Sequence, residues 1–496
     1  MTKMKEENFI AINVNQAGFE YDIHSLVKAF YPACDVKVFV DDENEESSGA
    51  GLPDLNIHFT GEAVLISLIG GEGGTASFAC KKIEISEDMP RAEIKNRLKQ
   101  LIYRTLSDYT GKQLPWGTLT GIRPTKIPMT MLEESRTDDD IAQYMKDTYF
   151  ISDEKGDLAI QIAKREKKLL ETLHYEDGYS LYIGIPFCPT TCLYCSFTSY
   201  PIITWKKRIS EYLDALDKEI AFTAEFYKDK VLDTIYIGGG TPTTLDAEEL
   251  TRLLSKIKEC FDLSHLKEFT VEAGRADSIT PDKLKALKEG SVTRISVNPQ
   301  TMKQETLDLI GRKHTVEQVK EAFMMARNAG FTNINMDLIL GLPGEGAVDV
   351  QNTMTEIEKL DPDSLTVHSL AIKRASRLSQ WIEENGISAL NNTDETMHIT
   401  ARGAEKMGMV PYYLYRQKNM SGNFENVGYA KEGKFGIYNI LIMEEKQTIV
   451  ALGAGSITKR VFPDGRIERC DNVQDVSLYI ERVEEMIERK RVLLRD

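Results

Sequence analysis

The stretch Gly184-Ile-Pro-Phe-Cys188-Pro-Thr-Thr-Cys192-Leu-Tyr-Cys195 decides how this sequence is interpreted. It lies at the end of an apolar segment, Leu181–Phe187, that predicts a buried strand. Its cysteines follow the spacing C-x3-C-x2-C, so three thiolates share one short loop. Three such thiolates can each bind one iron of a cubane iron–sulfur cluster, which leaves the fourth iron open to a small chelating molecule. The loop therefore predicts a metal centre with one vacant position.

Two other interpretations of these cysteines are a structural zinc site and unrelated thiols. Structural zinc takes four protein ligands, and no other Cys or His lies near enough in the sequence to be the obvious fourth. The remaining cysteines, Cys34, Cys80, Cys260 and Cys470, are scattered singly and suit apolar positions. The chain has seven cysteines, and its N-terminus has no apolar signal segment, which argues for reduced thiols and a cytoplasmic location. The cluster is the favoured interpretation.

The region around this loop predicts an α/β fold. From residue 176 to 375, short apolar strands alternate with amphipathic helices, which is typical of βα units on a parallel sheet. The expected strands are Leu181–Phe187, Thr234–Ile237, Glu268–Glu272, Arg294–Val297, Asn335–Leu340 and Ser364–His368. The expected helices are Ile209–Tyr227, Ala247–Cys260, Pro281–Lys288, Val316–Asn328 and Val350–Leu360. Six strands indicate a partial (β/α)6 barrel, with its active site at the C-terminal strand ends.

Two further domains flank the predicted barrel. Residues 1–175 are expected to form an α+β extension of unknown function, and residues 376–496 a mixed C-terminal domain that completes the substrate pocket. The 496 residues are 42% hydrophobic and 28% charged, which excludes a wholly disordered chain. The net charge of -16 argues against binding of nucleic acid or anionic membranes, and no apolar run is long enough to predict a membrane span.

Several loops at the strand ends carry further candidate site residues. The run Ile237-Gly-Gly-Gly-Thr-Pro-Thr243 follows the second strand, and its glycines permit a close approach of backbone to a ligand. Polar residues follow at later strand ends: Glu272, Gln300, Arg312 and Asp337. Because Asp337 lies inside an apolar strand, it is expected to have a polar partner. His314 and His368 are possible substrate contacts but more commonly structural, and Tyr412, Tyr413 and Tyr415 fit a core better than a pocket edge.

The cysteine loop resembles that of the radical S-adenosylmethionine (radical SAM) superfamily. The resemblance implies a [4Fe-4S] cluster on Cys188, Cys192 and Cys195, and S-adenosylmethionine on the open iron, from which a 5′-deoxyadenosyl radical is formed. It also implies that Tyr194 lies against the adenine and that the glycine-rich loop receives the methionine end. The implied site comprises Tyr182 and the three cysteines as catalytic residues, with Tyr182, Tyr194, Gly239, Gly240, Thr241, Glu272, Gln300, Arg312 and Asp337 as cofactor contacts. Ala371 and Ile457 match positions that meet a second S-adenosylmethionine.

From about Tyr182 to Thr458 the chain is similar to the coproporphyrinogen dehydrogenase branch of this superfamily, and its long N-terminal extension to the HemZ type. This implies oxygen-independent oxidative decarboxylation of coproporphyrinogen III to protoporphyrinogen IX, with electrons from a protein such as flavodoxin or ferredoxin. Gly184 and Phe197 depart from that pattern, where the well-understood enzymes have His and Cys. Both departures also occur in the sister group of haem chaperones, so haem binding and delivery is the alternative. A radical enzyme with another substrate is a third possibility.

Overall fold

The computed structural model describes residues 9–32, 34–40, 48–49, 52–70, 77–175, 177–196, 199–372, 376–386, 390–417 and 424–495. The departure at Phe197 lies outside the described residues. The chain divides into two compact units, one of residues 1–163 and 416–425, the other of residues 164–415 and 426–496. In the described part of the chain, no helix has the length and apolar character that a membrane span requires.

The first unit contains a five-stranded mixed sheet in the order β2-β1-β3-β4-β5. Strand β1 is parallel to β2 and β3, whereas β3, β4 and β5 are antiparallel neighbours. The strands are β1 (Phe9–Val14), β2 (Asp35–Val40), β3 (Asp54–Phe59), β4 (Ala63–Ile69) and β5 (Ser77–Glu84). The helices of the N-terminal region are α1 (Glu20–Phe30), α2 (Arg91–Thr110), α3 (Lys126–Glu133), α4 (Asp138–Tyr149) and α5 (Asp153–Leu170).

A buried carboxylate explains why the distant segment 416–425 belongs to the first unit. Glu425 accepts a hydrogen bond from the indole Nε1 of Trp116 at 2.7 Å and forms an ion pair with Lys155 Nζ at 2.7 Å. All three side chains are buried. A buried carboxylate without such partners would be costly, so these two donors hold the returning segment in place.

The second unit is built on one sheet of eleven strands, in the order β14-β15-β13-β12-β11-β10-β9-β6-β16-β17-β18. Its strands are β6 (Gly178–Ile185), β9 (Val231–Gly239), β10 (Glu268–Glu272), β11 (Arg294–Ser296), β12 (Ile334–Leu340), β13 (Ser364–Ser369), β14 (Val410–Tyr415), β15 (Asn426–Ala430), β16 (Thr448–Leu452), β17 (Ile457–Val461) and β18 (Ile467–Asp471). A separate short pair joins β7 (Phe187–Cys188) to β8 (Tyr200–Pro201).

Helices connect these strands in the βα order that the sequence predicts. They are α6 (Ile202–Trp205), α7 (Ile209–Phe226), α8 (Ala247–Cys260), α9 (Pro281–Glu289), α10 (Gln304–Leu309), α11 (Val316–Asn328), α12 (Ala347–Leu360), α13 (Leu378–Asn385), α14 (Asp394–Lys406), α15 (Ile437–Glu444), α16 (Val476–Glu481) and α17 (Val483–Leu494). The Thr315–Gln318 capping box at the start of α11 is present, as the sequence indicates.

The partial barrel is confirmed by six neighbouring parallel strands, β6 and β9 to β13. The sequence predicts a domain of their own for residues 376–496. They contribute β14 to β18 to this same sheet, and all of them except the segment 416–425 belong to the same compact unit. Strand β16 pairs in parallel with β6, the strand that leads into the cysteine loop. Whether this region completes the substrate pocket stays a prediction.

A buried ion pair fastens the C-terminal helix α17 to α7 behind the cysteine strand. Lys490 Nζ lies 2.5 Å from Glu219 Oε1, and both side chains are fully buried. The same carboxylate accepts from Asn472, from the Tyr479 hydroxyl and from the backbone N–H of Gly453 at 2.8 Å. The loop that follows β16 is thus held through a single carboxylate.

We expect Lys490→Met to lower the free energy of unfolding by about 3–5 kcal/mol, since it leaves the Glu219 charge buried without its cation. The measurement is urea denaturation followed by far-UV circular dichroism. Lys218→Met is the matched control, because Lys218 and Glu484 join the same two helices through an exposed pair at 2.9 Å. Such a pair contributes about 1 kcal/mol or less. Equal losses of unfolding free energy in the two variants would contradict a special role for the buried ion pair.

Candidate functional site

The three cysteines of the loop lie at the C-terminal end of β6, where a barrel of this kind places its site. Cys192 is buried, and Cys188 and Cys195 are half-buried. Among the described residues, no three His, Cys, Asp or Glu side chains converge closely enough to hold one metal ion. The cubane predicted from the sequence would take one iron on each thiolate.

Three arginines donate hydrogen bonds to residues of the cysteine loop. Arg275 donates to the Thr190 hydroxyl and carbonyl at 2.7 and 3.2 Å, and Arg377 donates to the Thr191 carbonyl at 2.5 Å. Arg312 donates to the Tyr194 hydroxyl at 3.1 Å. Arg312 also donates to the carbonyls of Gly274 and Asn298, each at 2.7 Å. An irregular loop with few backbone hydrogen bonds of its own is held in this way.

The glycine-rich loop packs directly against the cysteine loop. The N–H of Gly240 donates to Ile185 O at 2.8 Å, and that of Thr241 donates to Phe187 O at 2.7 Å. A Cβ atom at Gly240 would lie 2.5 Å from Phe187 O, and Gly239 has a φ of +103°. The Thr241 hydroxyl lies 3.5 Å from the Cys188 sulfur. Glycine is therefore required here for the close approach of two backbones.

Glu272 ends β10 in a position that perturbs its titration. Burial raises the pKa of this carboxyl to about 7, although the Tyr236 hydroxyl donates a hydrogen bond to it. The neighbouring Asp337 carboxylate raises the Glu272 pKa further. A carboxyl group poised near neutrality at the end of a barrel strand is a candidate ligand contact.

Buried polar atoms without partners line the end of β11. The side-chain oxygens of Ser296, Asn298 and Gln300 have no hydrogen-bond partner, and neither does Nε of Arg312. Gln300 also has a φ of +68°, a left-handed conformation that is costly for a non-glycine residue. Buried polar atoms are normally paired, so this concentration of orphans fits a site for a polar cofactor. The residues present thus fit S-adenosylmethionine beside the cysteine loop.

Asp337 has the partners that the sequence predicts. It accepts from Asn335 Nδ2 at 2.7 Å, and His368 Nε2 lies 3.8 Å from its other oxygen. Burial favours the protonated form, but the hydrogen bond and charge of His368 outweigh it and lower the Asp337 pKa. The other ring nitrogen of His368 lies 3.2 Å from the Tyr415 hydroxyl.

The other predicted residues fall into three environments. Tyr182 is half-buried on β6 and stacks with Tyr236 and Tyr438, with ring centroids 6.2 and 6.3 Å apart. Ala371 is half-buried just after β13, whereas Ile457 on β17 is 50% exposed. His314 is fully buried, with its Nδ1 3.9 Å from Asp277, and its structural role stays a prediction.

Sequence reasoning missed three residues of this site. Ser296 and Asn298 alternate with Gln300, so the period of two along an extended chain places them on the same face and was the available signal. Arg275 follows Glu272 by three residues in a turn, and no pattern in the sequence connects it with the cysteine loop. Its contact with Thr190 depends on the approach of two strand ends.

Comparisons with known proteins indicate the family of this chain. Residues 182–357 match the model of the radical SAM superfamily. The chain is 39% identical over 477 residues to the oxygen-independent coproporphyrinogen-III oxidase-like protein HemZ of Bacillus subtilis, covering 94% of each chain. It is 40% identical over 195 residues to the haem chaperone HemW of the same organism, covering 39% of this chain and 51% of that one. Coproporphyrinogen III oxidase (HemN) of Escherichia coli has a similar fold, with a TM-score of 0.51, 22% identity, and coverage of 64% of this chain and 72% of that one.

We expect Cys192→Ala to abolish the brown cluster absorption after anaerobic reconstitution and to leave the far-UV circular dichroism largely intact, because one of three iron ligands is lost. Cys260→Ala on α8 is the matched control and should retain parental iron and sulfide. Retained iron stoichiometry in Cys192→Ala would count against the ligand assignment.

The pKa of Glu272 predicts that affinity for S-adenosylmethionine depends on pH. If ligand hydroxyls donate to the ionised carboxylate, affinity should fall by about tenfold from pH 8 to pH 6, as the group gains a proton below its pKa of about 7. Glu272→Gln should bind more weakly and lack this dependence. Affinity is measured by anaerobic calorimetry on both proteins. Any pH dependence that comes from the ligand itself is the same in the two and cancels in the comparison. Parallel pH profiles would contradict the role of Glu272.

Proposed function

The chain belongs to the radical SAM superfamily and, within it, to the family of HemN, HemZ and HemW proteins; from this we propose that it catalyses oxygen-independent oxidative decarboxylation of coproporphyrinogen III to protoporphyrinogen IX. The observation that carries the proposal is its similarity to HemZ of Bacillus subtilis, at 39% identity over 94% of both chains. The match to HemW covers 39% of this chain.

Members of this superfamily use a [4Fe-4S] cluster and S-adenosylmethionine, and this chain has the residues for both. Cys188, Cys192 and Cys195 would hold three irons of the cluster. When bound, the two groups together supply a carbon-centred radical that removes a hydrogen atom from an unactivated C–H bond. The protein binds, orients and shields them.

The roles of the individual residues follow from their positions. Glu272 and the orphan oxygens of Ser296, Asn298 and Gln300 would accept hydrogen bonds from the cofactor, since they lie together at the C-terminal strand ends. The stacked rings of Tyr182, Tyr236 and Tyr438 fill the space next to them and exclude water from reactive intermediates.

The substrate would enter at the same strand ends. Each of the two propionate side chains that react would lose one hydrogen atom from its β-carbon, one molecule of CO2, and one electron to an external acceptor, and a vinyl group would result. His368, whose side chain is 27% exposed beside Asp337, is the candidate donor to a substrate carboxylate. A flavodoxin or ferredoxin would supply the electrons for the cluster.

Haem binding and delivery is the second candidate function, and two observations favour it. Relatives named haem chaperone HemW match part of this chain, one of them at 40% identity over 195 residues. Gly184 also lacks a side chain where the well-understood oxidases carry His. Its carbonyl accepts from the Tyr212 hydroxyl at 2.6 Å, so this position is part of the packing behind the loop.

One anaerobic experiment separates the two functions. Reconstituted protein is incubated with coproporphyrinogen III, S-adenosylmethionine and dithionite, and the porphyrins are analysed after oxidation. We expect protoporphyrin, the monovinyl intermediate and 5′-deoxyadenosine from the parental protein and from Cys260→Ala, and none from Cys192→Ala, because that variant lacks a cluster ligand. Tight haem binding without any vinyl product would favour the chaperone and reject the enzyme.

A further inference from the structure

Arg275 is a buried cation beside the cysteine loop, in a position for which neither the cofactor contacts nor the substrate accounts. It is only 3% exposed. Its Nη1 donates to Thr190 and lies 4.0 Å from the sulfur of Cys192, within reach of an N–H···S hydrogen bond. The guanidinium is therefore directed at one of the three cluster ligands.

Asp277 fixes the orientation of this guanidinium. Its two oxygens accept from Nε at 3.0 Å and from Nη2 at 2.7 Å, so the carboxylate occupies the edge of the guanidinium opposite to Cys192. The buried ring of His314 lies behind Asp277, with Nδ1 3.9 Å from Oδ1. The positive end of this pair thus faces the cysteine loop and the negative end faces away.

We propose that Arg275 sets the reduction potential of the cluster by stabilising the electron added next to Cys192. Reduction of the cluster adds one negative charge, and a buried cation near a sulfur ligand favours the reduced form more than an exposed one does, because water screens the latter. The inference concerns the cluster alone and does not depend on the identity of the substrate. Arg275 is thus a positioning and tuning residue.

Arg377 provides a matched control on the same loop. It also donates to a loop carbonyl, that of Thr191, at 2.5 Å, but its side chain is exposed. Both arginines stabilise the loop by a hydrogen bond, and only Arg275 places a buried charge at a cysteine. A difference in midpoint potential between variants of the two arginines therefore separates the effect of the buried charge from that of the hydrogen bond to the loop.

The test is a redox titration of the anaerobically reconstituted full-length protein, monitored by electron paramagnetic resonance. Arg275→Gln should shift the midpoint potential to more negative values, Arg275→Lys should shift it less, and Arg377→Gln should leave it unchanged. Asp277→Asn should shift it in the opposite direction, since it removes the carboxylate that offsets the Arg275 charge. Iron and sulfide analysis verifies that each variant carries its cluster.

A parental potential in Arg275→Gln overturns the proposal, and so does an equal shift in Arg377→Gln. If Arg275→Gln does not retain its cluster, Asp277→Asn decides: a less negative potential supports the proposal, and an unchanged or more negative one rejects it. None of these results depends on turnover, so the proposed decarboxylation can fail while this inference stands.

Discussion

The site depends on holding an irregular loop of three thiolates still at the end of a barrel strand. A loop of this kind makes few backbone hydrogen bonds, so its geometry must come from elsewhere. Part of it comes from the glycine-rich loop, which donates hydrogen bonds from two N–H groups to the backbone on either side of Pro186. The rest comes from arginines that donate hydrogen bonds to Thr190, Thr191 and Tyr194. Cofactor binding and cluster chemistry require that these supports be rigid.

Several energetically costly features occur together in the same region. Glu272 is a carboxyl with a raised pKa, Gln300 has a left-handed backbone, and several buried oxygens have no partner. Elsewhere in the second unit, the buried carboxylate of Glu219 is fully satisfied by four donors. Groups of this kind favour a binding site in which a ligand would complete them.

The C-terminal region shows how far the barrel extends. Strand β16 pairs with β6, so residues more than 250 positions apart in sequence become neighbours beside the cysteine loop. The ion pair of Glu219 with Lys490 then ties the last helix to the loop after β16. The barrel and the C-terminal residues consequently form one unit, since each buries an edge that the other would leave exposed.

The sequence alone determined those features whose causes are local. Helices α8 and α11 have the bounds that the sequence predicts, and the C-x3-C-x2-C spacing predicts the cluster ligands. Helix α1 was missed because it has no side-chain N-cap and no glycine stop; it is helical because Ile23, Leu26, Val27 and Phe30 are buried against the core. Only the tertiary structure decided that β16 lies beside β6 and Arg275 beside Cys192, because such contacts depend on which distant segments pack together.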